Sequence, residues 1–282
     1  MMVQAPPASE NAAMLPLVPR TTWDARFIAG HPAHAALERA AACFADAREW
    51  PQPATWRGAL EAAGLATPLV TEHGLPIGFA LSPPKSKSRR RRAPVDVGTI
   101  YDERIYVRGE VPSRADSWHD FLNMLIWATF PAAKRAVNER QRSALRAYVL
   151  DGAPRIPGAR TREQDALSMF DEGGILVLST PDAAPGVNAA LERADADALG
   201  ASVRNGDVVV FAFGHALHEH LLSSPLTVRA FALPLVVEAL PGALDARIAL
   251  ADVTLAAALA ERRVLTAPTG VPAMPVTATL FG

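Results

Sequence analysis

Residues 118–130, WHDFLNMLIWATF, carry Trp118, Phe121, Leu122, Leu125, Ile126, Trp127 and Phe130 on nearly every side of a helical wheel. A helix apolar all round belongs in a core. Asp116 or Ser117 stands where a cap is needed, and Pro131 marks the end or a bend. The next segment, 131–150, starts with Pro at a tolerated first position and sets apolar residues at helical spacing against Lys134, Arg135, Arg140 and Arg142, which predicts a surface helix. Upstream, HPAHAALERAAACFADA (31–47) has helical spacing of small apolar residues. TIYDERIYV (99–107) alternates β-formers with charges, predicting a half-buried strand followed by a turn over RGEVPSR.

Thr161 and Gln164 form a capping box that opens a helix running through DALSMFDE to Gly173 and Gly174, and ILVLS then reads as a buried strand. DVVVFAF (207–213) repeats that reading, with Gly214 as the turn and HALHEHLL (215–222) as a helix ending before Pro225. A Leu- and Ala-rich helix over about 245–263 and a Pro-containing extended tail complete the chain. The expected fold is mixed α/β of the α+β type, helix-rich with a small central sheet.

Composition narrows this picture. Half of the 282 residues are hydrophobic and 28 basic side chains face 29 acidic ones, so the chain is globular without a global field toward nucleic acid or anionic lipid. The expected organisation is a flexible arm over 1–20, then one globular domain over 21–282 with an exposed basic loop at 81–96. That loop, LSPPKSKSRRRRAPVD, offers Arg89, Arg90, Arg91 and Arg92 to a polyanion, but lacks the interleaved aromatics that stack bases, so a solvated insertion is favoured over nucleic-acid contact. The first twenty residues lack a cationic start followed by an apolar stretch, and every apolar run is too short to span a bilayer; a cytoplasmic protein is expected. Cys43, the single cysteine, reads as a small apolar residue.

Chemistry concentrates in three places. His119 and Asn123 lie one turn apart on an otherwise apolar face, with Asp120 beside them able to orient an imidazole. His215 and Glu219 share a face directly behind the strand and Gly214, where the helix dipole favours neutral imidazole, while His218 and His220 point elsewhere and are expected to be exposed. Asp171 and Glu172 fall in the last turn of their helix, where the dipole opposes negative charge. Asp165, seven residues before Glu172, can share its side and face His119 or His215; the alternative is end-of-helix charge paired with Arg162 or the basic helix at 134–142.

Taken together, WHDFLN, the run Phe130, Pro131, Lys134 and Asn138, Arg162 with the DAxxxFDExG of 165–174, and the FGHAxxE of 213–219 resemble a bacterial family catalogued as a domain of unknown function. The resemblance covers roughly residues 65 to 235, carries no assigned reaction, and implies only grouping and bacterial origin. The spacing arguments lead to three expectations. The first is a metal-assisted hydrolase acting on a small molecule or phosphoester. His119, Asp120, Asn123, His215 and Glu219 are its catalytic candidates, and His119, Asp171, Glu172 and His215 its ligands for Zn, Mn or Fe. The second is a binding or assembly protein in which these groups form a satisfied buried network. The third is a nucleic-acid-associated protein led by the arginine loop.

Overall fold

The computed structural model describes residues 21–82, 97–149, 160–223 and 228–282. The arm expected over 1–20 and the arginines of the basic loop lie outside the described residues. Six strands are described: β1 Gly78–Leu81, β2 Glu110–Ser113, β3 Gly174–Ser179, β4 Val208–Ala212, β5 Arg229–Val236 and β6 Ala273–Pro275. Around them run α1 Glu38–Ala41, α2 Pro53–Ala62, α3 Tyr101–Arg108, α4 Trp118–Thr129, α5 Pro131–Arg146, α6 Arg162–Gly173, α7 Ala184–Glu192, α8 Ala196–Asn205, α9 His215–Ser223 and α10 Leu244–Ala260. The fold is helix-rich mixed α/β with a small sheet, as expected. No helix among the described residues is long and apolar enough to cross a membrane.

The main sheet has the order β4-β3-β5-β6, with β3 antiparallel to β4 and parallel to β5. Every residue of β3 and β4 is buried, as a strand covered on both faces requires. The two-residue period divides them between layers. Ile175, Val177, Val208, Val210 and Ala212 pack with Val187, Leu191 and Leu199 of α7 and α8, whereas Leu176, Leu178, Val209 and Phe211 join the larger core of α4, α6 and α10. That core also takes in Phe27, Trp56 and Phe79 from the N-terminal segment, and Trp23 stacks on Trp118 with ring centroids 5.1 Å apart.

The structure corrects several expectations. Residues 101–108 form a helix, not a strand. Asp102 and Glu103 suit its positive N-terminus, Arg108 its last turn, and Gly109 closes it at φ 67° in the left-handed region; these end signals outweigh a short alternation. The expected turn after it is β2, paired in parallel with β1. The 31–47 segment is broken into 3-10 turns around the short α1. Helix α5 is not a surface helix, because Lys134 and Arg140 are buried along with Asn138 and Gln141. Its N-terminus is held by Asp252 of α10, whose carboxylate accepts the Ala132 and Ala133 amides at 3.1 and 2.7 Å. Pro131 leaves α4 and α5 as separate helices, Ser117 caps α4, and the Thr161–Gln164 capping box forms in full.

Candidate functional site

Two glycines bring the polar residues together. A Cβ on Gly214 would sit 2.5 Å from the Glu172 carbonyl oxygen and 2.6 Å from the Gly173 nitrogen, so only glycine lets the start of α9 lie against the end of α6. The Phe213 and Gly214 amides donate to the Gly174 carbonyl at 3.0 and 2.9 Å, fixing that approach. His215, the first residue of α9, therefore faces Asp171 and Glu172, the end of α6. Helix α4, which packs against α9, supplies His119.

The imidazoles meet through their Nε2 atoms, 3.1 Å apart, with rings nearly perpendicular at 75°. The Glu172 carboxylate joins them, its Oε2 3.4 Å from His215 Nε2 and 3.9 Å from His119 Nε2. These three side chains each offer a ligand atom within 4.8 Å of the others. Behind each ring stands a carboxylate: Glu219 Oε2 lies 3.1 Å from His119 Nδ1, and Asp171 Oδ2 3.8 Å from His215 Nδ1. His215 Nδ1 is buried without a hydrogen bond of good geometry. Glu172 is half-exposed and His119 part-exposed, so one side of the group opens to solvent.

The protonation of the pair is asymmetric. Burial pushes His215 down to about 3, which leaves it neutral at physiological pH. The helix end favours the same form, but burial is the larger cause. Burial also lowers His119, yet the Glu219 hydrogen bond and the Glu172 charge outweigh it and hold His119 above the usual histidine value. Burial raises Glu172, with the His119 charge working against it.

A polar layer lies behind the rings. Lys134, 3 % exposed along its side chain, places Nζ 2.5 Å from Asp171 Oδ1 and donates to Asn123 Oδ1 at 2.9 Å. Asn123 Nδ2 donates to the Tyr101 hydroxyl at 3.0 Å. Burial raises Asp171, but the Lys134 ammonium overrides it and holds the carboxyl below its ordinary value. Tyr101, Asp102, Lys134, Asn138 and Asp171 line a cavity of about 10 Å³, room for one water. Burial, with the Asp171 charge, pushes Asp102 up to about 6 there.

Of the sequence-predicted residues, His119, Glu172, His215 and Glu219 come together. Asn123 and Asp171 belong to the layer behind, Asp171 paired with Lys134 of the basic helix. Asp165 is exposed and stands apart. Asp120 turns to Arg114, accepting from Nε at 2.7 Å, Nη2 at 2.9 Å and the main-chain amide at 2.6 Å. His218, expected to be exposed, is fully buried, with Nδ1 2.8 Å from His34 Nδ1 and Nε2 3.1 Å from the Ala212 carbonyl oxygen. Its position is set by the contact with His34, 184 residues away in sequence, which helical period alone does not reveal. Lys134 did carry a signal: Lys134, Asn138, Gln141 and Leu145 form one helical face whose last member is apolar.

No curated protein and no solved structure matches the chain. The profile of a protein family described as of unknown function, DUF3025, matches residues 90–279, a span that starts later and reaches further toward the C-terminus than the motif resemblance. It takes in both imidazoles, the three carboxylates around them, and Lys134 and Arg114, so the chain belongs to the DUF3025 family.

Proposed function

We propose that this protein is a metal-assisted hydrolase in which His119, Glu172 and His215 hold one divalent transition metal, Zn, Mn or Fe. The observation that carries the reading is the convergence of two imidazole Nε2 atoms and one carboxylate within 4.8 Å. Two ligands of a tetrahedral zinc stand about 3.3 Å apart; two of the three separations, 3.1 and 3.4 Å, lie close to that value, and the third, His119 to Glu172, is 3.9 Å. Ligating histidines present one nitrogen to the metal and the other to a carboxylate or carbonyl, and here Glu219 and Asp171 stand in those places. Neutral His215 needs no deprotonation before it ligates.

With His119, Glu172 and His215 as its ligands, the metal would remain open to solvent and would supply an acidified water and polarisation of a carbonyl or phosphoryl oxygen. Glu219 is then a positioning residue that fixes the tautomer of His119. The WHDFLN, DALSMFDEGG and FGHALHE segments, all inside the matched span 90–279, supply the side chains of this site.

A second reading has an observation of its own. Without metal, His215 Nε2 and His119 Nε2 are at hydrogen-bond distance, and the chain through Glu219 forms a polar network that fixes the core. The readings separate on turnover. Protein loaded with zinc or manganese is assayed on a panel of phosphomonoester, carboxyl ester and amide chromogenic substrates. Metal-dependent hydrolysis abolished in His215→Ala supports the hydrolase; full activity in that variant, or none in the loaded wild type, contradicts it. Nothing among the described residues bears on the arginine loop.

A further inference from the structure

Arg114 is held by Asp120, the residue next to the candidate ligand His119 on α4, and is oriented before any ligand arrives. One edge of its guanidinium is gripped by Asp120, with Nε and Nη2 on the two carboxylate oxygens at 2.7 and 2.9 Å. The grip is anchored, because the Asp120 side chain is 11 % exposed, caps the Arg114 amide, and sits on α4 beside His119. The opposite edge, Nη1 with the second Nη2 proton, has no hydrogen-bond partner among the described residues, and the side chain is 62 % exposed. Asp120 foremost, then the charges of Glu219 and Glu172, raise the Arg114 guanidinium, so it is within electrostatic reach of the candidate ligand Glu172.

A plain surface ion pair has two solvated, mobile partners. Here a nearly buried carboxylate, one residue from a candidate ligand, is spent wholly on aiming an arginine. A guanidinium held along one edge still offers a planar fork on the other, the geometry that matches two oxygens of a phosphate or carboxylate.

We infer that Arg114 is the anion-recognising residue of this site and that the substrate carries an oxyanion, a phosphate or a carboxylate, next to the bond presented to the metal. The inference rests on the metal-assisted reading for the direction in which the substrate lies. Asp120 acts through Arg114 as a positioning residue. The substrate's oxyanion sits on the free guanidinium edge while its scissile group faces His119, Glu172 and His215.

The test is a calorimetric titration of the full chain, zinc-loaded and zinc-free, with inorganic phosphate and separately with acetate. The wild type is compared with Arg114→Gln and Arg114→Lys, and zinc content is measured on each. The expected result is unchanged zinc content with anion affinity lowered about 10-fold in Arg114→Gln. Arg114→Lys, which keeps the charge and loses the fork, falls between and guards against misfolding of the glutamine variant. The anion that shows the larger loss identifies the substrate group. Equal affinity for both anions in wild type and both variants overturns the inference while zinc binding keeps the metal reading. Absence of zinc, and of manganese and iron when these are loaded in its place, overturns the metal reading alone, and Arg114 is then judged on the metal-free titrations by the same criterion.

Discussion

Lys134 shows what a buried charge costs when its partner is lost. Its ammonium is enclosed by Asp171, Asn123 and the Trp127 ring, 5.5 Å from the ring centroid. Lys134→Met leaves Asp171 beside His215 without its cation, and a loss of about 3 kcal/mol in urea unfolding is expected; Lys134→Met with Asp171→Leu recovers most of it. His218 sets a pH dependence. Burial lowers it from 6.5 to about 4, so its contribution to stability is present above pH 6.5 and is lost as pH falls toward 4. Between pH 6.5 and 5.5 His218 alone should lower the unfolding free energy by about 1 kcal/mol, and His218→Gln should reduce the slope by that amount, leaving the part due to His215. At this scale the sequence disclosed the chemistry better than the partners. His119, Glu172, His215 and Glu219 stood out as polar groups in apolar or dipole-opposed places. Arg114 and His218 did not, because the contacts that define them, Arg114 on Asp120 and His218 on His34, are settled by a loop and by tertiary packing.

At the scale of elements, local rules worked where one signal dominated. The capping box of α6, the all-apolar α4 and the buried runs of β3 and β4 were legible because period, cap and composition agreed. Helix α3 was not, since nine residues of alternation look like a strand until the acidic start and the glycine end are weighed. Gly214 is the joint of the site. Gly214→Ala drives a methyl into the Glu172 and Gly173 backbone, and a loss of about 2 kcal/mol is expected, together with weakened metal retention, because α9 must move from α6. Asp252 joins α10 to α5 by accepting two amides of a helix start no nearby side chain caps. Asp252→Ala should cost about 1 to 2 kcal/mol in thermal or urea unfolding, with no change in metal content.

At the scale of the molecule, the family span begins at residue 90, yet the packing does not. Phe27, Leu37, Trp56, Leu60, Leu69 and Ile77 are buried in the same core as Trp118, Phe121 and Leu122. A chain cut to residues 90–279 exposes the N-terminal side of α4, the helix that carries His119, and should be recovered aggregated or without a cooperative thermal transition, whereas a chain starting at residue 21 should unfold cooperatively. The central claim is that two imidazoles and a carboxylate were brought together to hold a metal. Elemental analysis of the full chain, purified without chelator and reconstituted with zinc, tests it most directly. One zinc per chain in the wild type, and well under a tenth in His119→Ala, Glu172→Gln and His215→Ala of unchanged fold, is the predicted result. A wild type that retains no zinc, manganese or iron, or variants that retain as much as it does, would contradict the account.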